Sequence, residues 1–423
     1  MKKGLIIGYD LCKDYCRISY YRDGDEEPAD LRFSDEKNPY LIQNSICKRK
    51  GADEWLIGEE AYETALFGAG NIADKLLILV SKHGHATFEG VTYKGDELLY
   101  RFLDETLKVV FRETGVSYVE RITFTMQELD APVLDAVVSA MKKIGVERKK
   151  VHIISHTESY LYFALSRPRD LWTNLAALFD FSGDGLNYYE MEVLRGMQPN
   201  VARADRAFLE EGFSIDILDA KAGQKMADSI MTSAVERTLD KKTVSACFLS
   251  GNGMDNCQEW GENFLTVLCR RRRVFFIENL FAKGAVYAAK ETLEESEKLP
   301  YSIMCEGRIK VDITVDVYKG VNHQTLALSR AGENWYETRA SFDIIPDQET
   351  SLRLKVRKVG EKTPASIEIP FGRLNTRGNK LSRIHVTLSF TKDDEFSVSM
   401  TDKGFGEFYP PTEAEVHRSF TVE

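Results

Sequence analysis

Three glycine-containing turns hold the residues of this sequence that are best suited to chemistry. The first is Gly8–Cys12, between two strand-like runs, the second interrupts the apolar segment Leu178–Tyr189, and the third ends the run Cys247–Met254. The candidate residues in these turns are, in chain order, Gly8, Asp10, Asp180, Ser182, Gly183, Asp184, Gly185, Gly251, Asn252 and Gly253.

These turns favour a phosphate-bearing ligand. Tight turns expose consecutive backbone N–H groups to phosphate oxygens, and glycine lets the backbone come close to them. Asp10 and Asp180 could hold the water ligands of a Mg²⁺ ion that neutralises the phosphates. Each turn alone is a weak signal, because Asp-Gly turns are common in ordinary hairpins. The three together predict a nucleotide site.

Other patterns favour no competing chemistry. The chain has no Gly-Lys dipeptide and therefore no Walker A loop. Gly68–Ala73 has the outline of a dinucleotide fingerprint but does not follow a strand pattern. His83 and His85 lack a Cys or carboxylate cluster to complete a metal site. Cys12 and Cys16 are better interpreted as packed thiols than as a redox pair.

The elements that position the turns change character along the chain. Up to about residue 290, strand and helix patterns alternate, as in α/β domains. The helix expected between Asp130 and Gly145 is one example. After about residue 299, alternation with period two predicts strands in succession, most clearly in the hairpin from Ile384 to Met400. The sequence therefore predicts two domains, an α/β domain over residues 1–298 and an all-β sandwich over residues 299–423.

Composition excludes several classes of protein. The 423 residues are 43% hydrophobic, so the chain can bury large cores and is not disordered. The formal net charge of −10 argues against nucleic acid as a partner. No apolar stretch is long enough to predict a membrane span. Seven widely spaced cysteines and the absence of a signal-peptide pattern favour a cytoplasmic location.

The order and spacing of the turns resemble the sugar-kinase, actin and heat-shock ATPase superfamily, specifically the DnaK-type 70-kilodalton heat-shock chaperones. Similar segments lie between the turns and in the β region, nearly along the whole chain at low identity. They are Trp55–Ala61, Val91–Gly95, Ile153–Glu158, Phe281–Ala289, Asn375–Gly378, and Val386–Phe390 with Phe396–Gly404.

The resemblance implies an actin-like (ribonuclease H-like) two-lobed ATPase domain followed by a substrate-binding β-sandwich. It implies ATP or ADP with Mg²⁺ as cofactor, and Asp10 and Asp180 as metal-binding and catalytic residues. Lys75 is similar to the lysine that orients the hydrolytic water in the family. Protein or extended peptide segments are the implied partners.

Departures from the family pattern weaken the expectation of catalysis. Cys12 replaces a glycine of the first turn, His156 replaces the family's catalytic acidic residue, and Asp184 adds a carboxylate to the second turn. The segment between Tyr189 and Phe248 is short, so little of the subdomain that closes over adenosine is expected. A helical lid after the sandwich is not expected either.

The main hypothesis is a chaperone-like or protein-interaction protein whose nucleotide binding is weak or lost. One alternative is a working Mg²⁺-dependent ATPase that uses Asp10, Asp180 and Lys75. Another is a structural assembly protein without catalysis, since actin-like folds also polymerise. The oligomeric state, the partner and the pathway stay open at this stage.

Overall fold

The computed structural model describes residues 4–34, 38–183, 185–196, 200–209, 214–270, 272–293, 299–377 and 379–422. The chain divides into an N-terminal unit, Met1–Tyr301, and a C-terminal unit, Ser302–Glu423. The sequence predicts this boundary after residue 298. Among the described residues, no helix is both long and apolar enough to cross a membrane.

The first half of the N-terminal unit is a mixed α/β region. Its elements are β1 (Leu5–Leu11), β2 (Tyr15–Tyr21), β3 (Ala29–Asp30), β4 (Ile42–Gln43), β5 (Ile46–Arg49), β6 (Trp55–Ile57), α1 (Gly58–Leu66), β7 (Gly70–Ala73), α2 (Leu76–Ser81), β8 (His85–Phe88), β9 (Val91–Lys94), α3 (Gly95–Thr114), β10 (Val119–Met126), α4 (Ala131–Ile144), β11 (Val151–Ser155) and α5 (His156–Ser166).

The second half of this unit is also mixed. Its elements are β12 (Leu175–Ser182), β13 (Gly185–Leu194), β14 (Asn200–Leu209), α6 (Lys221–Thr238), β15 (Val244–Ser250), α7 (Cys257–Trp260), α8 (Glu262–Leu268), β16 (Arg273–Phe276) and α9 (Leu280–Glu291).

The two halves contain sheets with the same topology. The first has the order β11-β10-β1-β2-β3, and the second contains the order β16-β15-β12-β13-β14. In each sheet the central strand, β1 or β12, runs parallel to the neighbour on one side and antiparallel to the neighbour on the other. Every residue of β1 is buried, as expected for a strand covered on both faces. The carboxyl ends of β1 and β12 therefore occupy corresponding places.

Helices α5 and α9 follow the last parallel strand of each sheet and pack against each other. Ser159 Oγ of α5 donates a hydrogen bond to the Phe281 carbonyl of α9 at 2.5 Å. A Cβ atom on Gly284 would lie 2.1 Å from the Ser159 carbonyl oxygen, so this crossing requires glycine. Helix α9 also packs on β1, where a Cβ atom on Gly8 would lie 2.0 Å from the Ala282 carbonyl oxygen.

The rest of the chain is all-β. Its strands are β17 (Tyr301–Met304), β18 (Val311–Lys319), β19 (Asn322–Ser329), β20 (Arg339–Ile344), β21 (Ser351–Lys358), β22 (Ala365–Pro370), β23 (Ile384–Phe390), β24 (Glu395–Asp402) and β25 (Glu415–Thr421).

Two antiparallel sheets make up most of the C-terminal unit, with the strand orders β19-β18-β21-β22 and β20-β23-β24-β25. Burial alternates along β23 and β24, whose apolar side chains fill one face. The hairpin predicted from Ile384 to Met400 is confirmed. The arrangement of the two sheets as a sandwich stays a prediction.

The contact between β1 and α9 can be tested at Gly8. We expect Gly8→Ala to lower the free energy of unfolding of the N-terminal unit by about 3 kcal/mol, because the added methyl group meets rigid backbone. Gly183→Ala is the matched control, since a Cβ atom there would meet nothing within 4 Å. Urea unfolding measures both variants, and equal effects would contradict the packing argument.

Candidate functional site

Asp10 lies near the carboxyl end of β1, the central strand of the first sheet. Its register partners are Thr125 of the parallel strand β10 and Arg17 of the antiparallel strand β2. Residues in register on neighbouring strands project from the same face of a sheet. Asp10 is only 1% exposed, so its carboxylate needs polar or charged partners.

Asp180 takes the corresponding position on β12. It is in register with Ser250 of the parallel strand β15 and with Asn187 of the antiparallel strand β13. Gln127, which follows β10, donates a hydrogen bond from Nε2 to Asn187 Oδ1 at 3.3 Å and so connects the two halves of the unit. Asp180 is buried like Asp10.

Both carboxylates act on Arg17. Burial lowers the pKa of this guanidinium, yet nearby acidic groups outweigh that effect and raise the pKa above its ordinary value. These groups are Tyr15, Asp10, Cys12 and Asp180. The guanidinium carbon lies 4.7 Å from the centre of the Tyr15 ring. Because Arg17 is in register with Asp10, a side-chain cation lies on the same face of the sheet as the carboxylate to which the sequence assigns Mg²⁺.

Asp10 forms a buried cluster with Cys12 and His156. His156 Nε2 lies 2.7 Å from Asp10 Oδ1, and Cys12 Sγ donates to the same oxygen at 3.3 Å. The sulfur lies 4.0 Å from His156 Nε2. An ionised carboxylate can only accept hydrogen bonds, so Nε2 carries the proton when Asp10 is ionised. His156 thus contacts the carboxylate to which the resemblance assigns Mg²⁺ binding.

The surroundings hold this cluster in place. The His156 ring is stacked on Phe281, with 4.0 Å between ring centres and 7° between planes. Asn44 Nδ2 donates to the carbonyl oxygens of Cys12, at 2.6 Å, and Tyr15, at 3.2 Å. The ring and the turn after β1 are therefore pre-positioned.

The geometry does not suit a Cys-His-Asp nucleophile. In such a triad one imidazole nitrogen takes the thiol proton while the other nitrogen donates to the carboxylate. Here Nε2 is the nitrogen close to both Cys12 and Asp10. Cys12 is also only 7% exposed. The cluster is therefore not arranged as a nucleophile with its base.

A small, open cleft lies beside the third turn. It is lined by Arg17, Asn38, Tyr40, Leu41, Ser250, Gly251, Asn252, Asp255, Phe276, Glu278 and Asn279. Asn279 is 6% exposed, and neither of its amide atoms has a hydrogen-bond partner among the described residues. Asn252 Oδ1 also has no hydrogen-bond partner within the described part of the chain. Unpartnered buried amides are costly, so this cleft is suited to a polar ligand.

Some predicted glycines have packing roles. Gly8 faces α9. Gly251 has φ +91°, and a Cβ atom there would lie 2.2 Å from the Phe181 carbonyl oxygen and 2.8 Å from Asp180 Oδ1. Gly253 lies against the Phe181 ring. The third turn is thus held close to Asp180, as a shared site requires.

The remaining predicted residues are placed differently. Ser182 pairs with Gly185 across the second turn, and Gly183 between them is open on its Cβ side. Asp184 lies outside the described residues. Lys75 is exposed just before α2, and within the described ranges no hydrogen bond or ion pair joins it to Asp10 or Asp180. The structure gives no support for its predicted role in orienting water.

The site also contains residues that sequence reasoning missed. Arg17 and Asn279 were not among the candidates, and Tyr40 of the cleft was not either. A signal for Arg17 was present, because the short turn between Cys12 and Tyr15 pairs it with Asp10. Asn279 and Tyr40 lie outside the three turns and carry no comparable signal.

In the C-terminal unit, Asp402 and Arg377 form a second buried cluster. Arg377 donates from Nη1 to Asp402 Oδ1 at 3.0 Å and from Nη2 to Oδ2 at 2.5 Å. Gly404 N and Thr412 also donate to the carboxylate, each at 2.9 Å. Burial raises the pKa of Asp402, but these hydrogen bonds outweigh burial and lower it to about 2.

This cluster anchors a loop with exposed aromatic rings. Arg377 Nη2 also donates to the Pro410 carbonyl oxygen at 2.8 Å. Between Gly404 and Pro410 lie Phe405, Phe408 and Tyr409, and Phe408 is 92% exposed. Exposed rings on an anchored loop are suited to protein contact.

Family comparisons cover both parts of the chain. Residues 27–306, well over half of the 423, match the model described as the C-terminal part of a family of unknown function, DUF5716. The chain therefore belongs to that family. Residues 308–422 match a domain of unknown function, DUF8552. No curated protein matches the sequence.

The contact between Asp10 and His156 can be measured with a double-mutant cycle. We expect His156→Phe, which keeps the stacking on Phe281, to cost about 2 kcal/mol because it removes a donor from a buried carboxylate. In an Asp10→Asn background the cost should fall below about 0.5 kcal/mol. The exposed His85, changed to Phe, is the control. Additive effects of Asp10→Asn and His156→Phe would contradict the contact.

The Asp402 cluster predicts a pH dependence. The pKa of Asp402 in the folded state, about 2, lies below the ordinary 3.8. The stabilisation from the ionised carboxylate is therefore present above the ordinary pKa and is lost as the pH falls towards 2. We expect a loss of about 2 kcal/mol. Hydrogen exchange of peptides from β24 can follow it. The loss should disappear in Asp402→Asn and persist in the exposed control Glu413→Gln, and the reverse result would contradict the assignment.

Proposed function

We propose that the N-terminal unit is a divergent actin-like domain, related to DnaK-type chaperones, that binds a nucleotide without hydrolysing it. The C-terminal unit then binds protein segments. The protein is in this proposal a non-catalytic interaction protein whose nucleotide site regulates or stabilises it. The observation that carries the proposal is the contact of His156 with Asp10.

The topology supports the actin-like part of the proposal. Two sheets of the same strand order occur in one unit, each followed by a helix, and those helices pack together. The carboxylates of Asp10 and Asp180 lie at corresponding strand ends and act on the same guanidinium, that of Arg17. Ligands of open α/β sheets bind outside the carboxyl ends of the strands.

The burial and hydrogen bonds of Asp10 support the proposal that the protein does not hydrolyse the nucleotide. Phosphoryl transfer depends on a metal ion held in position and on a group that orients the attacking water. Asp10 is 1% exposed, and its Oδ1 is hydrogen-bonded to His156 and Cys12, so a water ligand of Mg²⁺ would have to displace them to reach that oxygen. Lys75 has no contact with the carboxylates in the described chain. A working ATPase would require all of these groups to rearrange.

The cleft supports nucleotide binding. The unpartnered amide of Asn279 offers a donor and an acceptor to a base or ribose, and Asn252 Oδ1 offers another acceptor. Arg17 offers a positive charge to phosphate. Tyr40 and Phe276 place aromatic rings in the lining, where a base could stack. Arg17 is the cation of the lining, which also includes the carboxyl groups of Asp255 and Glu278.

The C-terminal unit supports protein binding in two ways. The loop from Phe405 to Tyr409 exposes aromatic rings and is anchored by Arg377. The four-stranded sheets also end in edge strands, such as β19 and β22, to which an extended segment could add by backbone pairing.

The nucleotide site can be tested with two matched asparagines. Asn279 and Asn256 both have left-handed backbone, with φ 54° and 55°, and only Asn279 lines the cleft. Glycine retains that backbone and removes the amide. We expect ADP to raise the melting temperature of the wild type and of Asn256→Gly, but not that of Asn279→Gly.

The same preparations test hydrolysis. We expect the wild type and the Asp180→Asn variant to release phosphate from ATP at the same rate in Mg²⁺, because neither hydrolyses ATP. Release that is faster in the wild type and is lost in Asp180→Asn would establish the working ATPase instead. An absence of any thermal shift with ATP or ADP would contradict nucleotide binding.

A further inference from the structure

We propose that Asp10, Cys12 and His156 form a binding site for Zn²⁺ or a similar first-row transition-metal ion, with a fourth coordination position open to a ligand. This proposal goes beyond nucleotide binding and does not depend on it. It also differs from the Mg²⁺ site suggested by Asp10 and Asp180, because its donor atoms are oxygen, sulfur and nitrogen.

The donor distances fit a tetrahedral ion. With metal–ligand bonds of about 2.0–2.3 Å, neighbouring donors of a tetrahedral site lie about 3.5 Å apart. The three separations here are 2.7, 3.3 and 4.0 Å, between Asp10 Oδ1, Cys12 Sγ and His156 Nε2. Their values bracket the tetrahedral spacing, and an ion could enter if the separations changed by up to about 0.8 Å, the largest change being between Asp10 Oδ1 and His156 Nε2. The donor set of thiolate, imidazole and carboxylate is one that zinc uses.

The fold supplies the rigidity that such a site needs. Asp10 and Cys12 come from one end of β1, and His156 is the first residue of α5, directly after β11. Stacking on Phe281 fixes the imidazole, and the hydrogen bond from Asn44 to the Cys12 carbonyl fixes the turn. Ligand orientation by surrounding groups is typical of metal sites.

The surroundings also balance charge. When the ion binds, the Nε2 proton of His156 moves to Nδ1 so that Nε2 can coordinate, and the thiol proton of Cys12 is released to solvent. The divalent ion, the Cys12 thiolate and the Asp10 carboxylate then form a neutral unit. Arg17 and Asp180 carry opposite charges beside it.

An unpartnered hydroxyl lies next to the cluster. Thr125 is in register with Asp10, is fully buried, and has no hydrogen-bond partner for Oγ1 among the described residues. A water molecule in the open metal position would give this hydroxyl a partner. This is an observation independent of the three donor distances.

Cobalt titration of the full-length protein tests the proposal. After metal removal, one equivalent of Co²⁺ should produce a thiolate-to-cobalt charge-transfer band and the intense visible bands of four-coordinate cobalt, and Zn²⁺ should abolish them. Cys12→Ser should remove the charge-transfer band and, like His156→Gln, weaken metal binding at least about 100-fold. The exposed Cys269, changed to Ser, is the matched control and should leave the spectrum unchanged.

A second readout distinguishes loss of metal from loss of fold. Zn²⁺ should raise the melting temperature of the wild type and of Cys269→Ser, but not that of Cys12→Ser, while the far-ultraviolet circular dichroism of all three stays the same. The proposal is overturned if the wild type gives no cobalt band at one equivalent, or if the band survives in Cys12→Ser.

Discussion

The hydrogen bond between His156 Nε2 and Asp10 Oδ1 is the interaction on which the site of the N-terminal unit depends. It joins the end of β1 to the start of α5, two elements that are 146 residues apart in sequence. Burial of both partners makes the contact costly to break, because a carboxylate at 1% exposure would lose a donor without gaining water. The chemistry open to Asp10 is therefore set by His156 and Cys12.

The duplicated sheets explain why two carboxylates share one environment. Asp10 and Asp180 occupy corresponding ends of β1 and β12, and the packing of α5 on α9 joins the halves that carry them. Glycines at positions 8, 251 and 284 permit backbone contacts that no side chain would allow. Arg17 lies in register with Asp10, and the nearby carboxylates contribute to raising its pKa.

Much of the fold could be predicted from local pattern. Helix α4 spans Ala131–Ile144, within the limits that Asp130 and Gly145 set, and the strands β23 and β24 follow the alternation of their apolar residues. Such elements depend on periodicity and turn residues, which are local properties. The turn predicted at Gly8–Cys12 begins too early, because Gly8 and Asp10 lie within β1, which ends at Leu11.

The partners of these residues could not be predicted in the same way. Tertiary packing brings His156 to Asp10, which is 146 residues away in sequence. Likewise, Gly8 is required because helix α9 packs against it at Ala282, 274 residues away. The position of Arg17 opposite Asp10 could be predicted, because hairpin register follows from turn length. The effect of Asp180 on Arg17 depends on the second sheet and could not. Side-chain chemistry at a shared site is thus a tertiary property.

The most direct measurement is the affinity for ADP, by isothermal titration calorimetry, in buffer without divalent cations and in excess Mg²⁺. If Asp10 is held by His156 and Cys12 while Arg17 serves as the cation, the two dissociation constants should agree within about twofold, a difference of about 0.4 kcal/mol. A gain of tenfold or more with Mg²⁺ would show that Asp10 and Asp180 bind the ion, and would contradict this description of the site.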